Sequence, residues 1–166
     1  MLFKSISRQK GIGLIEVLVS VFILASGLLG LAALQTQSLR FSHESYMRTL
    51  ASILASDMAD RIRVNSTEAL VTDNYVHALG ANTSGTATAC EDNACNSSNL
   101  AAYDYKQWSD QLSAQLPDGK GSITAATKNT DGWREYTIII QFSSVSTNKS
   151  ASSTPDTSSF TYRTRI

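Results

Sequence analysis

The stretch that decides the fold is Lys10-Gly11-Ile12-Gly13-Leu14-Ile15-Glu16-Val17-Leu18, which continues as apolar sequence to Leu34. The ten residues before Gly11 carry Lys4, Arg8 and Lys10 and no acid, and residues 12 to 34 hold one charge, Glu16. As a helix rising 1.5 Å per residue, 12 to 34 would be about 35 Å long, enough to cross a bilayer core of roughly 30 Å. Lysine and arginine concentrate on cytoplasmic flanks, so the leader is expected in the cytoplasm and the remainder across the membrane.

Glu16 is the exception in that run. A carboxylate in hydrocarbon is costly and ordinarily needs a partner, so an acid inside a span is a functional candidate. Its place near a helix N-terminus, where the macrodipole favours negative charge, lowers that cost. The plain alternative is a side chain that snorkels to the interface. Its fixed distance from Gly11 speaks against that.

A short basic leader ending in Lys10-Gly11, then an apolar run whose fifth residue is Glu16, resembles the class III signal of type IV pilins. The resemblance implies that a prepilin peptidase cuts after Gly11 and methylates the new N-terminus, Ile12. It also implies that Glu16 pairs with the N-terminal amine of a neighbouring subunit. That pairing is physically coherent: an amine with a reference pKa near 7.7–8.0 and a carboxylate each need the other in a low-dielectric bundle. The family usually carries Phe and then Thr after the cut, where this chain has Ile12 and Gly13. An ordinary secretory signal fits less well, because its apolar region is shorter, about 7–15 residues. The small-x-small site Gly30-Leu31-Ala32 nevertheless keeps that reading open, as does an uncleaved anchor.

The helix is expected to run on past the membrane. From Gln35 to Val64 there is neither proline nor glycine, the residues most hostile to helix interiors. Met47, Leu50, Ala51, Leu54, Ala55, Met58 and Ile62 recur at three- and four-residue steps and share one face. Ser52, Ser56, Asp60, Arg61 and Arg63 fall on the other, with Asp57 and Arg61 spaced to pair on the surface. Residues 12 to 64 thus read as one helix, apolar all round in its first half and amphipathic in its second. Gly27 and Gly30, near Ser20, Ala25 and Ser26, would let other helices approach closely, although glycine is common in membrane helices anyway.

The segment Asp57-Met58-Ala59-Asp60-Arg61-Ile62-Arg63-Val64-Asn65 is similar to the end of the long helix in PilV-type minor pilins. These are relatives of the I-type pseudopilins of type II secretion. On physical grounds alone it is a helix end with a solvated face. Leu100 to Leu116 reads as a second helix with Tyr105, Trp108, Leu112 and Leu116 on one face, capped by Ser98 or Asn99 and stopped by Pro117-Asp118-Gly119. The run from Leu100 to Trp108, closed by Leu116-Pro117-Asp118-Gly119, again looks like PilV-type proteins.

Between these helices, residues 65 to 99 are polar and rich in small residues, with one short element expected over Ala69 to Leu79. Residues 82 to 88 read as a low-complexity, mobile loop. Cys90 and Cys95 enclose four residues; export would favour a disulfide over a metal pair or free thiols. Two cysteines cannot fill a tetrahedral zinc site, and neither His43 nor His77 is spaced to help.

Three strands are expected toward the C-terminus: Gly121 to Thr127, Trp133 to Phe142 and Phe160 to Ile166. In the second, Tyr136, Ile138, Ile140 and Phe142 alternate onto one face. Lys128 to Gly132 reads as a hairpin loop, and Ser143 to Ser159 as a loop too polar to pack. In the third, Phe160, Tyr162 and Ile166 face one way, with Arg163 and Arg165 on a solvated face. A small antiparallel sheet folded on the amphipathic half of the helix buries both apolar faces. The expected fold class is therefore α+β.

The chain has 166 residues with 14 basic and 14 acidic side chains, a balance that argues against a nucleic-acid-binding domain. The expected organisation is a leader at 1–11, a span at 12–34, an amphipathic continuation at 35–64 and a periplasmic domain at 65–166. No catalytic motif appears: no phosphate-cradling glycine loop, no metal-spaced His-Glu pair and no Gly-x-Ser-x-Gly. Neither an enzyme nor a cofactor or metal is expected, and the two histidines read as ordinary surface or loop residues.

The resemblance implies a minor pilin that primes assembly at the pilus tip. It would be held in the inner membrane with its C-terminal domain in the periplasm until it enters the filament. Its partners would be prepilin peptidase, other minor pilins, the major pilin and a tip adhesin. The competing readings are a type II secretion pseudopilin and, from another class, an anchored DNA-uptake or other binding module.

Overall fold

The computed structural model describes residues 13–81, 90–91, 94–144 and 156–166. The elements are α1 (Leu14–Val64), α2 (Ser66–Val71), α3 (Ser97–Gln115), β1 (Lys120–Ala125), β2 (Glu135–Ser144) and β3 (Asp156–Arg165). The fold is α+β, with a long N-terminal helix and one three-stranded antiparallel sheet in the order β1-β2-β3. The chain divides into two compact units between Ser42 and His43.

In the first unit α1 is exposed throughout, apolar from Leu14 to Leu34 apart from Glu16, Ser20 and Ser26, and mostly polar from Gln35. In the second, α1 buries Ala51, Leu54, Ala55, Met58, Ala59 and Ile62, with Met47 and Leu50 packed at the margin of the same core. Three of the buried positions are alanines, so other elements can come close to the helix backbone here. The Trp108 indole N–H does so, donating to the Leu54 carbonyl at 2.9 Å.

Helix α3 presents Tyr105, Trp108 and Leu112 to the core, the expected face. Its cap differs from expectation. Asn96, rather than Ser98 or Asn99, caps it, its side-chain oxygen accepting from the Asn99 N–H at 2.7 Å. The helix therefore starts at Ser97, three residues earlier than expected, because a short polar side chain at Asn96 satisfies an otherwise orphaned donor. Gly121 at the start of β1 lies against α3. A Cβ there would stand 2.2 Å from Cη2 of Trp108, so only glycine lets the indole lie against the strand.

The strands shift from their expected bounds. β2 starts at Glu135 rather than Trp133, because Trp133 closes the preceding turn. Its N–H donates to the Asn129 side chain at 3.1 Å, and its carbonyl accepts from the Asn129 N–H at 3.0 Å. Gly132, with φ of 89°, supplies the left-handed residue that this turn needs. β2 and β3 also extend further into the polar connection than expected, pairing through Ser144↔Asp156. Polarity did not prevent pairing, since threonine and serine can complete a ladder begun by their apolar neighbours. The alternation in β2 is as expected, with Tyr136, Ile138, Ile140 and Phe142 buried.

The short element expected over Ala69 to Leu79 is two features. Helix α2 ends at Val71, and His77 then bridges to Ile123, each N–H donating to the other's carbonyl at 2.9 Å. The low-complexity stretch 82 to 88 lies outside the described residues.

Candidate assembly segment

Gly11 and Ile12, the expected cut site, lie outside the described residues. The Glu16 N–H donates to the Gly13 carbonyl at 2.9 Å, and Ser20 Oγ donates to the Glu16 carbonyl at 2.7 Å. Glu16 occupies the first turn of α1. Its carboxylate has no partner among the described residues. At 3.6 residues per turn, Glu16, Ser20, Gly27 and Gly30 fall on one side of the helix. A Cβ at Gly27 or Gly30 would meet nothing within 4 Å.

The rest of this segment is apolar and uncovered: Leu14 is 80% exposed and Phe22 75%. Leucine, isoleucine and phenylalanine in such number do not stay in water unaided. The helix is long and apolar enough to cross a membrane, with a mean hydropathy of 2.5 over its most apolar window, none of it buried. Chemically the segment offers an apolar surface for lipid or other helices and one carboxylate for a cation.

In the second unit, the end of α1 departs from the solvated face expected of it. Arg61 does pair with Asp57, at 2.9 Å, but it also reaches Asp104 of α3 at 3.4 Å and the Gln107 side chain. Arg63 pairs with Asp60 and donates to Thr164 of β3. Asn65 is buried, its amide donating to the Tyr75 hydroxyl at 3.0 Å and to the Ser97 carbonyl at 2.7 Å. Tyr75 in turn donates to Asp104 at 2.8 Å, and burial pushes its phenol well above the usual range. Hydrogen bonds from Ser97, Thr72 and Asn74 hold the Glu68 carboxyl below its usual range. These contacts join α1, α2, the turn after α2 and α3. They look structural: every charge in them is spent on a neighbour.

The same holds for Arg134, whose guanidinium donates to the carbonyls of Ala126, Ala69 and Thr72 and pairs with Asp73. It serves the C-terminal end of α2, where a cation complements unpaired carbonyls. It also lines a cleft of about 460 Å³ with Leu70, Val71 and Val76, yet its donors are nearly all committed to the fold.

His77 is more than an ordinary loop residue. Its ring stacks on Tyr105 with centroids 3.5 Å apart, Nε2 is buried without a hydrogen-bond partner among the described residues, and burial holds the imidazole below its ordinary pKa. Nothing in the sequence around His77 signalled this, because the contact is made by α3, 28 residues further on. Arg163 and Arg165 are exposed on β3 as expected, and Arg165 lies over the Trp133 ring at 4.4 Å. Cys90 and Cys95 form a disulfide. Among the described residues no group of three or more histidines, cysteines or acids is placed to hold a metal.

Two family models match the chain. Residues 6–32 match the prokaryotic N-terminal methylation motif, and residues 33–106 match the family described as type IV pilin Tt1218. No curated protein and no solved structure matches it. The methylation motif covers Gly11 and Glu16, and the second match begins directly after it and runs through the amphipathic half of α1 into α3. Together with the exposed apolar helix and the α+β fold, the two matches support a type IV pilin.

Proposed function

We propose that this chain is a minor pilin of the PilV type, processed after Gly11 by prepilin peptidase and methylated on Ile12. The observation that carries this reading is Glu16, a carboxylate without a partner among the described residues, in the first turn of α1 and the only charge in its exposed apolar stretch from Leu14 to Leu34, most of which lies inside a methylation motif. Before assembly the apolar half of α1 lies in the inner membrane, with the C-terminal domain in the periplasm. On assembly the helix exchanges lipid for the helices of neighbouring pilins. Glu16 then meets the N-terminal amine of the adjacent subunit, each charge offsetting the desolvation of the other. The partners are other minor pilins, the major pilin and a tip adhesin, in a complex that primes the filament.

The test is Glu16→Ala in cells that assemble pili. Membrane insertion should be unchanged, since the substitution makes the span more apolar, while incorporation into filaments and piliation-dependent motility should fall. Normal pilus yield and motility in that strain would contradict the role of Glu16.

A further inference from the structure

The two edges of the sheet are finished differently. In an antiparallel ladder, doubly bonded pairs alternate with pairs that exchange no main-chain bond. Arg134 and Ile166 exchange both bonds, at 2.9 and 3.0 Å. The pairs Tyr136↔Thr164, Ile138↔Tyr162 and Ile140↔Phe160 then follow as doubly bonded. The residues between them on β3, Thr157, Ser159, Thr161, Arg163 and Arg165, turn their N–H and C=O groups away from β2. On the opposite edge, β1 is covered in part: the Gly121 carbonyl accepts from the Gly80 N–H at 3.2 Å, and Ile123 exchanges both bonds with His77 at 2.9 Å. No described residue meets those of β3.

The side chains of these same five residues are all exposed. Arg163 stands opposite Thr137 and has no acidic partner among the described residues, while Arg165 stands opposite Glu135 and over Trp133. A ten-residue edge without proline is a ready template for another strand. Charges on an edge deter pairing with a like edge. A second copy pairing through β3 would bring four guanidinium groups onto one sheet face, and the only carboxylate it adds there, its own Glu135, already stands opposite its own Arg165 on β2. A strand carrying acids would instead place them beside Arg163 and Arg165, where cross-strand neighbours interact directly.

We propose that the open edge of β3 is a docking site for an extended, acidic strand of a partner protein, which joins the sheet as a fourth strand. This does not depend on the chain entering a filament.

The test uses the full chain in detergent micelles and fluorescein-labelled peptides of the length of β3, 10 residues. One peptide alternates threonine and valine with two glutamates two residues apart, and the other carries lysines in their place. The glutamate peptide should bind about ten-fold more tightly, its affinity should fall with salt, and it should slow hydrogen exchange at the Thr161 and Arg163 amides. Arg163→Glu with Arg165→Glu should reverse the preference. Thr161→Pro removes only an outward N–H and should abolish binding with the unfolding midpoint unchanged; if that variant fails to fold, the charge reversal decides. Equal binding of both peptides, or slow exchange at Thr161 and Arg163 in the free protein, would overturn the proposal. Dimerisation of the chain that Thr161→Pro abolishes would also overturn it, assigning the edge to a second copy.

Discussion

The Trp108 indole N–H donates to the main-chain carbonyl of Leu54 at 2.9 Å, so the largest core side chain of α3 is anchored to the backbone of α1. The opposite side of the indole meets Gly121 of β1. One ring thus joins the long helix, the second helix and the sheet. Any change that moves it disturbs all three.

Gly121→Ala forces a methyl group into the indole and should destabilise the protein by about 1–3 kcal/mol, the range for overpacking a close-packed core. The cost should shrink in a Trp108→Leu background, giving a coupling energy of about 1 kcal/mol or more in a double-mutant cycle followed by urea unfolding. Additive effects would show that the contact is not the cause.

Tyr75→Phe removes one buried hydrogen bond from Asp104 and one from Asn65, which keep Arg61 and the Ser97 carbonyl as their remaining partners. It should cost about 1–3 kcal/mol, the penalty for unsatisfied buried polar groups. Tyr103→Phe, whose hydroxyl bonds Glu91 at the surface, should change stability by less than about 0.5 kcal/mol. Equal effects in the two variants would mean that burial of the network adds nothing.

His77 makes stability depend on pH in a stated direction. Burial holds the folded imidazole below its ordinary value of 6.5, so the unfolded chain takes up a proton first as pH falls. Its contribution is whole above about pH 6.5 and declines below it. Glu68 acts lower. Held below 4.5, it contributes above about pH 4.5 and loses that contribution as pH falls through its folded value. His77→Phe keeps a ring on Tyr105 and should flatten the stability profile of the full chain in detergent between pH 7 and about 5. A profile as steep as that of the unchanged protein would contradict the assignment.

The parts of the fold governed by local pattern were legible in the sequence. The apolar run with Glu16 settles the first half of α1, and the spacing of Leu54, Met58 and Ile62 and the alternation from Tyr136 to Phe142 each settle an element and its buried face. What could not be read depends on residues distant in the chain. Arg61 sits on the polar side of its own helix, and only the arrival of Asp104 and Gln107, 43 and 46 residues later, turns it into a tertiary contact. Asn65 and Tyr75 meet for the same reason. The ends of β2 and β3 run past their expected bounds because polar composition alone does not mark a loop; pairing between the strands decides where a ladder stops. In the assembly segment the sequence was informative because membrane length, charge spacing and the leader are all local.

The measurement that tests the central claim most directly is the intact mass and N-terminal sequence of the protein from cells with and without prepilin peptidase. A chain beginning at methylated Ile12 is expected when the peptidase is present, and the unprocessed chain beginning at Met1 when it is absent. A chain beginning at Met1 in both, or one cut near Ala32, would contradict it.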